Sequence, residues 1–102
     1  MQKLDTIDHV AIRVDDLTET VAWYRRMFNC NTIYEDDTWA IVEFANIKLA
    51  FVIKEQHPPH LAFYKADAAD FGRLKKHRDD SISTYVKDPS GNFVELIAKK
   101  EK

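Results

Sequence analysis

An internal repeat constrains the fold of this 102-residue chain more than any other feature. Residues 9–12 read His-Val-Ala-Ile, and residues 60–63, which lie 51 positions later, read His-Leu-Ala-Phe. Asp16 and Asp67 keep the same offset, and each precedes a segment with helical character. Repetition of one supersecondary unit is typical of a chain that folds as similar halves. The sequence therefore predicts one domain over residues 1–102, made of two modules at about 5–54 and 60–100.

The first module has the pattern of a strand, a helix and three further strands. Residues 7–14 are rich in β-branched side chains and alternate in polarity, which predicts a strand. Asp16 is a candidate N-cap, with Glu19 in the capping-box position, for an amphipathic helix over residues 17–28. Three further strands are predicted at 32–34, 39–44 and 47–53, the last two joined by a tight hairpin.

The second module follows the same plan but is shorter. Strands are predicted at 60–64 and 81–87, with a helix from about Ala68 to Arg78 that Gly72 weakens. Residues 88–92, Asp-Pro-Ser-Gly-Asn, have the composition of a turn, and a last strand follows from Phe93. The ends of the two modules match at an offset of 45 instead of 51, which predicts the loss of about one edge strand from the second module. The predicted fold class is α+β.

Composition and charge argue against some classes of binding partner. The chain carries 15 basic and 17 acidic residues, a formal charge of −2, and no basic block except the short tail at 99–102. This argues against a nucleic-acid partner held through phosphates. No apolar run approaches the length of a membrane span, and Cys30 is the only cysteine, so an intrachain disulfide is impossible. We therefore expect a cytoplasmic protein with no membrane or nucleic-acid partner.

Three residues of the repeat have the chemistry of a metal site. His9 and His60 each open a predicted strand on the side opposite its apolar face, and Glu95 lies in the middle of the last strand. Burial of an unpaired carboxylate is costly, so Glu95 needs a partner. Two imidazoles and one carboxylate can hold a divalent ion and leave positions open. Spacing alone also fits two hydrogen-bonded histidines and a glutamate on a half-exposed strand.

The segments that carry these residues resemble the vicinal oxygen chelate superfamily, which includes glyoxalase I, fosfomycin-resistance enzymes, extradiol dioxygenases and bleomycin-resistance proteins. The resemblance extends over residues 8–17 with Trp23 and Tyr24, residues 60–63, and residues 85–96. It implies paired βαβββ modules whose concave sheets enclose a divalent metal, which could be Fe, Mn, Ni, Zn or Co. It also implies a small-molecule substrate. The open edge left by a missing strand would favour a homodimer.

By position, the resemblance implies ligands at His9, Ala50, His60 and Glu95. Because Ala50 cannot ligate, three ligands remain. This set matches the dioxygenase and fosfomycin-resistance branches better than the four-ligand set of glyoxalase I. Glu43, one strand earlier than Ala50, is a poor substitute.

The closing segment resembles that of ring-cleaving dioxygenases, in which a His and a Tyr precede Asp-Pro-x-Gly and the ligand Glu. His77, Tyr85, residues 88–91 and Glu95 follow this order, although Thr84 stands where an apolar residue is usual. The resemblance therefore implies an extradiol dioxygenase-related enzyme with Tyr85 and His77 as catalytic residues. Tyr85 as a core tyrosine is an equally ordinary interpretation.

Three further residues are predicted to bind the substrate. Arg13 and Tyr64 share strand faces with His9 and His60, and Trp39 offers an aromatic surface. Arg13 could equally be a surface charge whose stem covers apolar area.

Other functions stay open. A fosfomycin-type thiol transferase and a glyoxalase-like lyase are the enzymatic alternatives. The non-enzymatic alternatives are a bleomycin-resistance-type sequestering protein and a purely structural metal site.

Overall fold

The computed structural model describes residues 3–53 and 57–98. The predicted module limits at residues 54 and 100, and the basic tail at 99–102, lie outside these ranges. The chain divides into two compact units. We call residues 9–59 the N-terminal unit, and residues 1–8 together with 60–102 the C-terminal unit. No helix within the described ranges combines the length and the apolar character needed to cross a membrane.

The N-terminal unit has the predicted order of elements. They are β1 (Ile7–Arg13, which begins two residues before this unit), α1 (Leu17–Met27), β2 (Asn31–Glu35), β3 (Trp39–Glu43) and β4 (Lys48–Val52). The strand order is β2-β3-β4-β1. β1 pairs with β4 in parallel, and the other neighbours are antiparallel.

Both faces of this sheet are apolar. On one face, Leu17 and Val21 of α1 pack with Ala40, Val42 and Phe51. The helix begins where predicted, because the Asp16 carboxylate accepts a hydrogen bond from the Glu19 backbone N–H at 2.9 Å. On the opposite face, a second buried cluster packs against Tyr34 and Trp39; its members are Ala11, Ile41, Ala50 and Val52.

The C-terminal unit contains four strands and one short 3-10 helix. These are β5 (His60–Tyr64), the 3-10 helix (Ala68–Asp70), β6 (Lys75–Lys76), β7 (Ile82–Lys87) and β8 (Phe93–Ile97). The strand order is β5-β8-β7-β6, and β5 pairs with β8 in parallel. Strands paired in both directions, together with the helix α1, confirm the α+β class.

The predicted helix over residues 68–78 is wrong. Only Ala68–Asp70 are helical, Asp67 makes no side-chain capping bond, and Ala68 is the only buried residue of the three. A helix in a folded protein is stabilised mainly by packing of an apolar face, which this segment lacks. The edge strand expected to be missing is present as β6, shortened to two residues. The second module is therefore shortened mainly at its helix.

Close packing against β7 fixes residue 72 as glycine. A Cβ atom at Gly72 would lie only 2.6 Å from the Thr84 Oγ1 atom. A contact this short requires either the Thr84 side chain or the backbone at residue 72 to move.

We expect Gly72→Ala to lower the free energy of unfolding by about 1–3 kcal/mol through overpacking. Thr84→Ala removes the hydroxyl in question, so the double variant should recover part of this loss. Urea unfolding of the wild type, both single variants and the double variant gives the coupling between the two sites. If the losses of unfolding free energy in the two single variants simply add in the double variant, the close approach of residues 72 and 84 is not the cause of the destabilisation.

One carboxylate organises the turn between β2 and β3. Asp36 accepts hydrogen bonds from the Tyr34 hydroxyl, the Thr38 backbone N–H at 2.8 Å and the Trp39 backbone N–H at 3.1 Å. Desolvation of the carboxylate opposes its ionisation, but these hydrogen bonds outweigh that effect and lower the pKa of Asp36 from 3.8 to about 2. The ionised form therefore stabilises the folded turn.

The depressed pKa predicts the sign of a pH effect. The stabilisation from Asp36 is fully present above its ordinary pKa of 3.8 and is lost as the pH falls through about 2. Asp36→Ala should therefore lower stability by about 1 kcal/mol at pH 7, and the difference from wild type should narrow between pH 4 and pH 2. Asp37→Ala, at the exposed next position, is the matched control. Parallel pH curves for wild type and Asp36→Ala would contradict the assignment.

Candidate metal centre

The strand registers of the C-terminal unit bring Glu95 next to residues from two other strands. The β7–β8 hairpin pairs Tyr85 with Glu95, and the parallel β5–β8 pair places Ala62 beside Glu95. Residues paired in this way point to the same face of a sheet. Because Ala62 is small, the side chain of His60, two residues earlier on that face, can reach Glu95.

The turn at residues 88–92 holds this hairpin in register. The Asp88 Oδ1 atom accepts hydrogen bonds from the backbone N–H groups of Ser90 and Asn92, both at 2.9 Å. Gly91 has a φ of +88°, which glycine adopts without steric cost. The turn predicted from sequence is confirmed, and it sets which residues face Glu95.

His60 and Glu95 form the centre of the site. The His60 Nε2 atom lies 3.1 Å from the Glu95 Oε1 atom, and the two residues are 8% and 5% exposed. Ligand atoms bound at about 2.1 Å and at right angles around a divalent ion lie about 3 Å apart. The separation, the burial and the chemistry of this nitrogen–oxygen pair therefore fit two ligands of a divalent metal.

Tyr85 lies against this pair. Its ring meets the His60 ring edge-on, with 5.2 Å between the centroids. Burial and, secondarily, the negative charges of Glu95 and Asp79 raise the pKa of Tyr85 above its ordinary value of 10. The phenol therefore keeps its proton at neutral pH and can act as a hydrogen-bond donor.

His77 also reaches Glu95, although it does not lie on a helix as predicted. It follows β6 in a tight turn, where its backbone N–H donates to the Ser81 carbonyl at 2.8 Å and Asp80 has a φ of +72°. This turn directs the His77 side chain towards Glu95, with 3.5 Å between Nε2 and the Glu95 Oε2 atom.

Ser83 is a member of the group that the sequence analysis missed. Its hydroxyl donates a hydrogen bond to Glu95 Oε2 at 2.6 Å and lies 2.6 Å from His77 Nε2. A signal for it existed, because alternation along the strand places Ser83 on the same face as Tyr85. The turn at 88–92 then places it diagonally across from Glu95, within side-chain reach.

Tyr64, predicted to bind the substrate, makes a contact away from this group. It lies four residues after His60 on the same face of β5, which corresponds to about 13 Å along the strand. Its hydroxyl donates a hydrogen bond to the Asp8 Oδ1 atom at 2.6 Å. This side chain thus joins β5 to the start of the chain within the C-terminal unit.

The remaining predicted site residues belong to the N-terminal unit. His9 is 7% exposed in β1, and Arg13 ends the same strand at an exposed position. Trp39 begins β3, with its ring centroid 4.5 Å from that of Tyr34.

The register of β1 against β4 matches that of β5 against β8. Ala11 lies beside Ala50 in the N-terminal unit, as Ala62 lies beside Glu95 in the C-terminal unit. Within its own unit, Ala50 therefore has the position that Glu95 has in the other.

Comparison with protein families places most of the chain in a known group. The family described as the glyoxalase/bleomycin resistance protein/dioxygenase superfamily matches residues 6–73. A search of the curated proteins finds no match.

Solved structures share the fold at low sequence identity. Methylmalonyl-CoA epimerase from Mycobacterium tuberculosis matches with a TM-score of 0.70 and 14% identity, over 95% of this chain and 91% of that chain. A superfamily member from Vibrio splendidus 12B01 matches with a TM-score of 0.66 and 11% identity, over 92% and 98%. A hypothetical protein from Staphylococcus aureus matches with a TM-score of 0.63 and 14% identity, over 93% of this chain but only 34% of that longer chain. Likeness at these identities shows the fold alone.

Proposed function

Because the chain belongs to the glyoxalase/bleomycin resistance protein/dioxygenase superfamily, we propose that it is a metal-dependent enzyme of the vicinal oxygen chelate type. Its substrate is a small oxygen-rich molecule, and its reaction is related to extradiol ring cleavage. The observation that carries this proposal is the buried contact between His60 Nε2 and Glu95 Oε1 at 3.1 Å. Members of the superfamily commonly bind a divalent metal.

The proposed ligands are His60 and Glu95 together with His9. His9 is supported by the sequence repeat, in which it corresponds to His60, and by its own burial in β1. Each of the three residues offers one ligand atom of the type that divalent metals bind. Ala50 offers none, so positions on the metal stay open for a substrate.

The chain's own residues supply the other parts of the chemistry. A bound divalent metal would stabilise negative charge on two neighbouring oxygen atoms of the substrate. Tyr85, whose ring lies against that of His60, is proposed to donate a hydrogen bond from its hydroxyl to one of these oxygens. His77, whose side chain is 19% exposed, reaches the Oε2 atom of Glu95. Arg13, Trp39 and Tyr64 are proposed contacts of the substrate beyond this group.

Ring cleavage is favoured over the other reactions of the superfamily by the placement of His77 and Tyr85. Both precede Glu95 in the order that resembles the closing segment of the dioxygenase branch. Both also lie next to the His60–Glu95 pair. A fosfomycin-type thiol transferase and a glyoxalase-like lyase are not singled out by any comparable contact among the described residues.

We further propose a cytoplasmic homodimer. β2 lies at the edge of the sheet in the N-terminal unit and exposes Ile33 on its surface. An open strand edge with an exposed apolar side chain is a surface that a second copy can cover.

Removing either ligand of the buried pair should abolish metal binding. We expect His60→Ala and Glu95→Ala to lose stoichiometric metal, because two ligands rarely hold a labile divalent ion. Glu43→Ala, which removes an exposed carboxylate at the end of β3, should retain it. Elemental analysis of anaerobically purified protein measures the occupancy of each variant.

Thermal unfolding provides an independent readout of the same variants. At a free metal concentration of 100 Kd, the folded wild type gains about 2.7 kcal/mol. For a chain of this size, that gain raises Tm by roughly 10 °C or more. Neither the His60→Ala nor the Glu95→Ala variant should respond. A wild-type Tm that is indifferent to every divalent ion would exclude the metal site.

Small-molecule sequestration is the second candidate function. The adjacent rings of Tyr34 and Trp39, tilted at 38° to each other on the apolar face of the N-terminal unit, favour it. Protein reconstituted with Fe²⁺ and given catechol in air should take up one O₂ for each catechol consumed if it cleaves rings, and Glu95→Ala should take up none. Binding of catechol without oxygen uptake by the wild type would instead support sequestration.

A further inference from the structure

The two oxygen atoms of Glu95 have different partners. Oε1 faces His60 Nε2, whereas Oε2 accepts the hydrogen bond from the Ser83 hydroxyl. Ser83 is 1% exposed, so water does not compete for this bond. The carboxylate is therefore held in one rotation, with Oε1 towards His60 and Oε2 towards Ser83 and His77.

The protons of the hydrogen bonds that link His77, Ser83 and Glu95 can be placed by elimination. An ionised carboxylate only accepts hydrogen bonds, so the single proton of Ser83 points to Glu95 Oε2. The Ser83 oxygen can then only accept from His77 Nε2, which lies 2.6 Å away. This requires the His77 tautomer that carries hydrogen on Nε2, and the direction of donation runs from His77 to Ser83 to Glu95.

We propose that Ser83 is a positioning residue that makes Glu95 a one-oxygen metal ligand. With Oε2 held by Ser83, only Oε1 is available to a metal, and the carboxylate occupies one coordination position instead of two. His77 acts through Ser83 by fixing the direction of its proton. This inference rests on the proposed metal site and adds to it the group that determines how Glu95 binds.

Hydrogen-bond partners of metal-ligating side chains usually matter for affinity. Their removal typically weakens metal binding 10–100-fold. Loss of the Ser83 hydroxyl should have a second effect, because Oε2 then loses its short hydrogen bond at 2.6 Å while the His77 Nε2 atom lies at 3.5 Å, so Oε2 can turn towards the metal as well. The coordination geometry should then change, which a merely structural role of Ser83 would not predict.

The test is a titration with Co²⁺ followed by its visible absorption. We expect Ser83→Ala to weaken Co²⁺ binding 10–100-fold and to shift the absorption bands relative to wild type. Thr84→Val is the matched control, because it removes another buried hydroxyl from the same strand but on the opposite face. Its Co²⁺ affinity and spectrum should equal those of wild type. Ser83→Gly, which also removes the hydroxyl and adds no metal-binding atom, replaces Ser83→Ala if that variant does not fold.

A double-variant cycle tests whether His77 acts on Glu95 through Ser83. If His77 acts through Ser83, adding His77→Ala to Ser83→Ala should cost no further affinity, although His77→Ala alone weakens Co²⁺ binding. Full additivity would instead show that His77 acts directly on Glu95 and would overturn this part of the inference.

The outcomes separate this inference from the proposed function. Wild type that binds no Co²⁺ would overturn both. Wild type that binds Co²⁺, together with a Ser83→Ala variant of the same affinity and spectrum, would overturn the role of Ser83 alone. Weaker binding with shifted bands in Ser83→Ala, and neither effect in Thr84→Val, would establish it.

Discussion

The burial of one carboxylate is the constraint on which the C-terminal unit depends. Glu95 is removed from water, and a buried charge that lacks partners is strongly destabilising. Its partners come from β5, from β7 and from the turn after β6, so no single local segment can supply them. The parallel pairing of β5 with β8, the β7–β8 hairpin and the turn that carries His77 are each required to bring a donor to this carboxylate. The same strand pairings therefore determine both the fold of the unit and the contacts of Glu95.

Much of this arrangement could be predicted because it depends on local rules and on the repeat. Alternation placed His60 on the side opposite the apolar face of its strand, Glu95 was placed in the middle of the last strand, and the turn composition at 88–92 predicted the hairpin. The two offsets of the repeat, 51 at the start and 45 at the end, correctly match Ala11 with Ala62 and Ala50 with Glu95. The observed pairs Ala11–Ala50 and Ala62–Glu95 confirm both offsets at once. A repeat thus predicts the register of paired strands even when the two strands are far apart in the sequence.

The predictions that failed share one physical cause: the structure there depends on packing between segments that are distant in sequence. Residues 68–78 contain enough helix-forming side chains to suggest a helix, but the contact of Gly72 with Thr84 and the short edge strand β6 are decided by tertiary structure. Ser83 was missed for a related reason. Alternation places Ser83 on the same face as Tyr85, but only the register of the hairpin shows that its hydroxyl meets Glu95.

The matching registers of the two units also bear on why residue 50 is an alanine and not a carboxylate. In the C-terminal unit, the residue across the antiparallel pair from Glu95 is Tyr85; in the N-terminal unit, the residue across from Ala50 is Ile41. Ala50 further packs in a buried apolar cluster with Ala11 and Val52. A carboxylate placed at residue 50 would have His9 in the register position that His60 has towards Glu95, but its other neighbours would be these apolar side chains, among which burial of a charge is costly. A carboxylate at this position would therefore also need polar neighbours in place of Ile41 and Val52, so the identity of residue 50 is tied to the packing of the sheet around it.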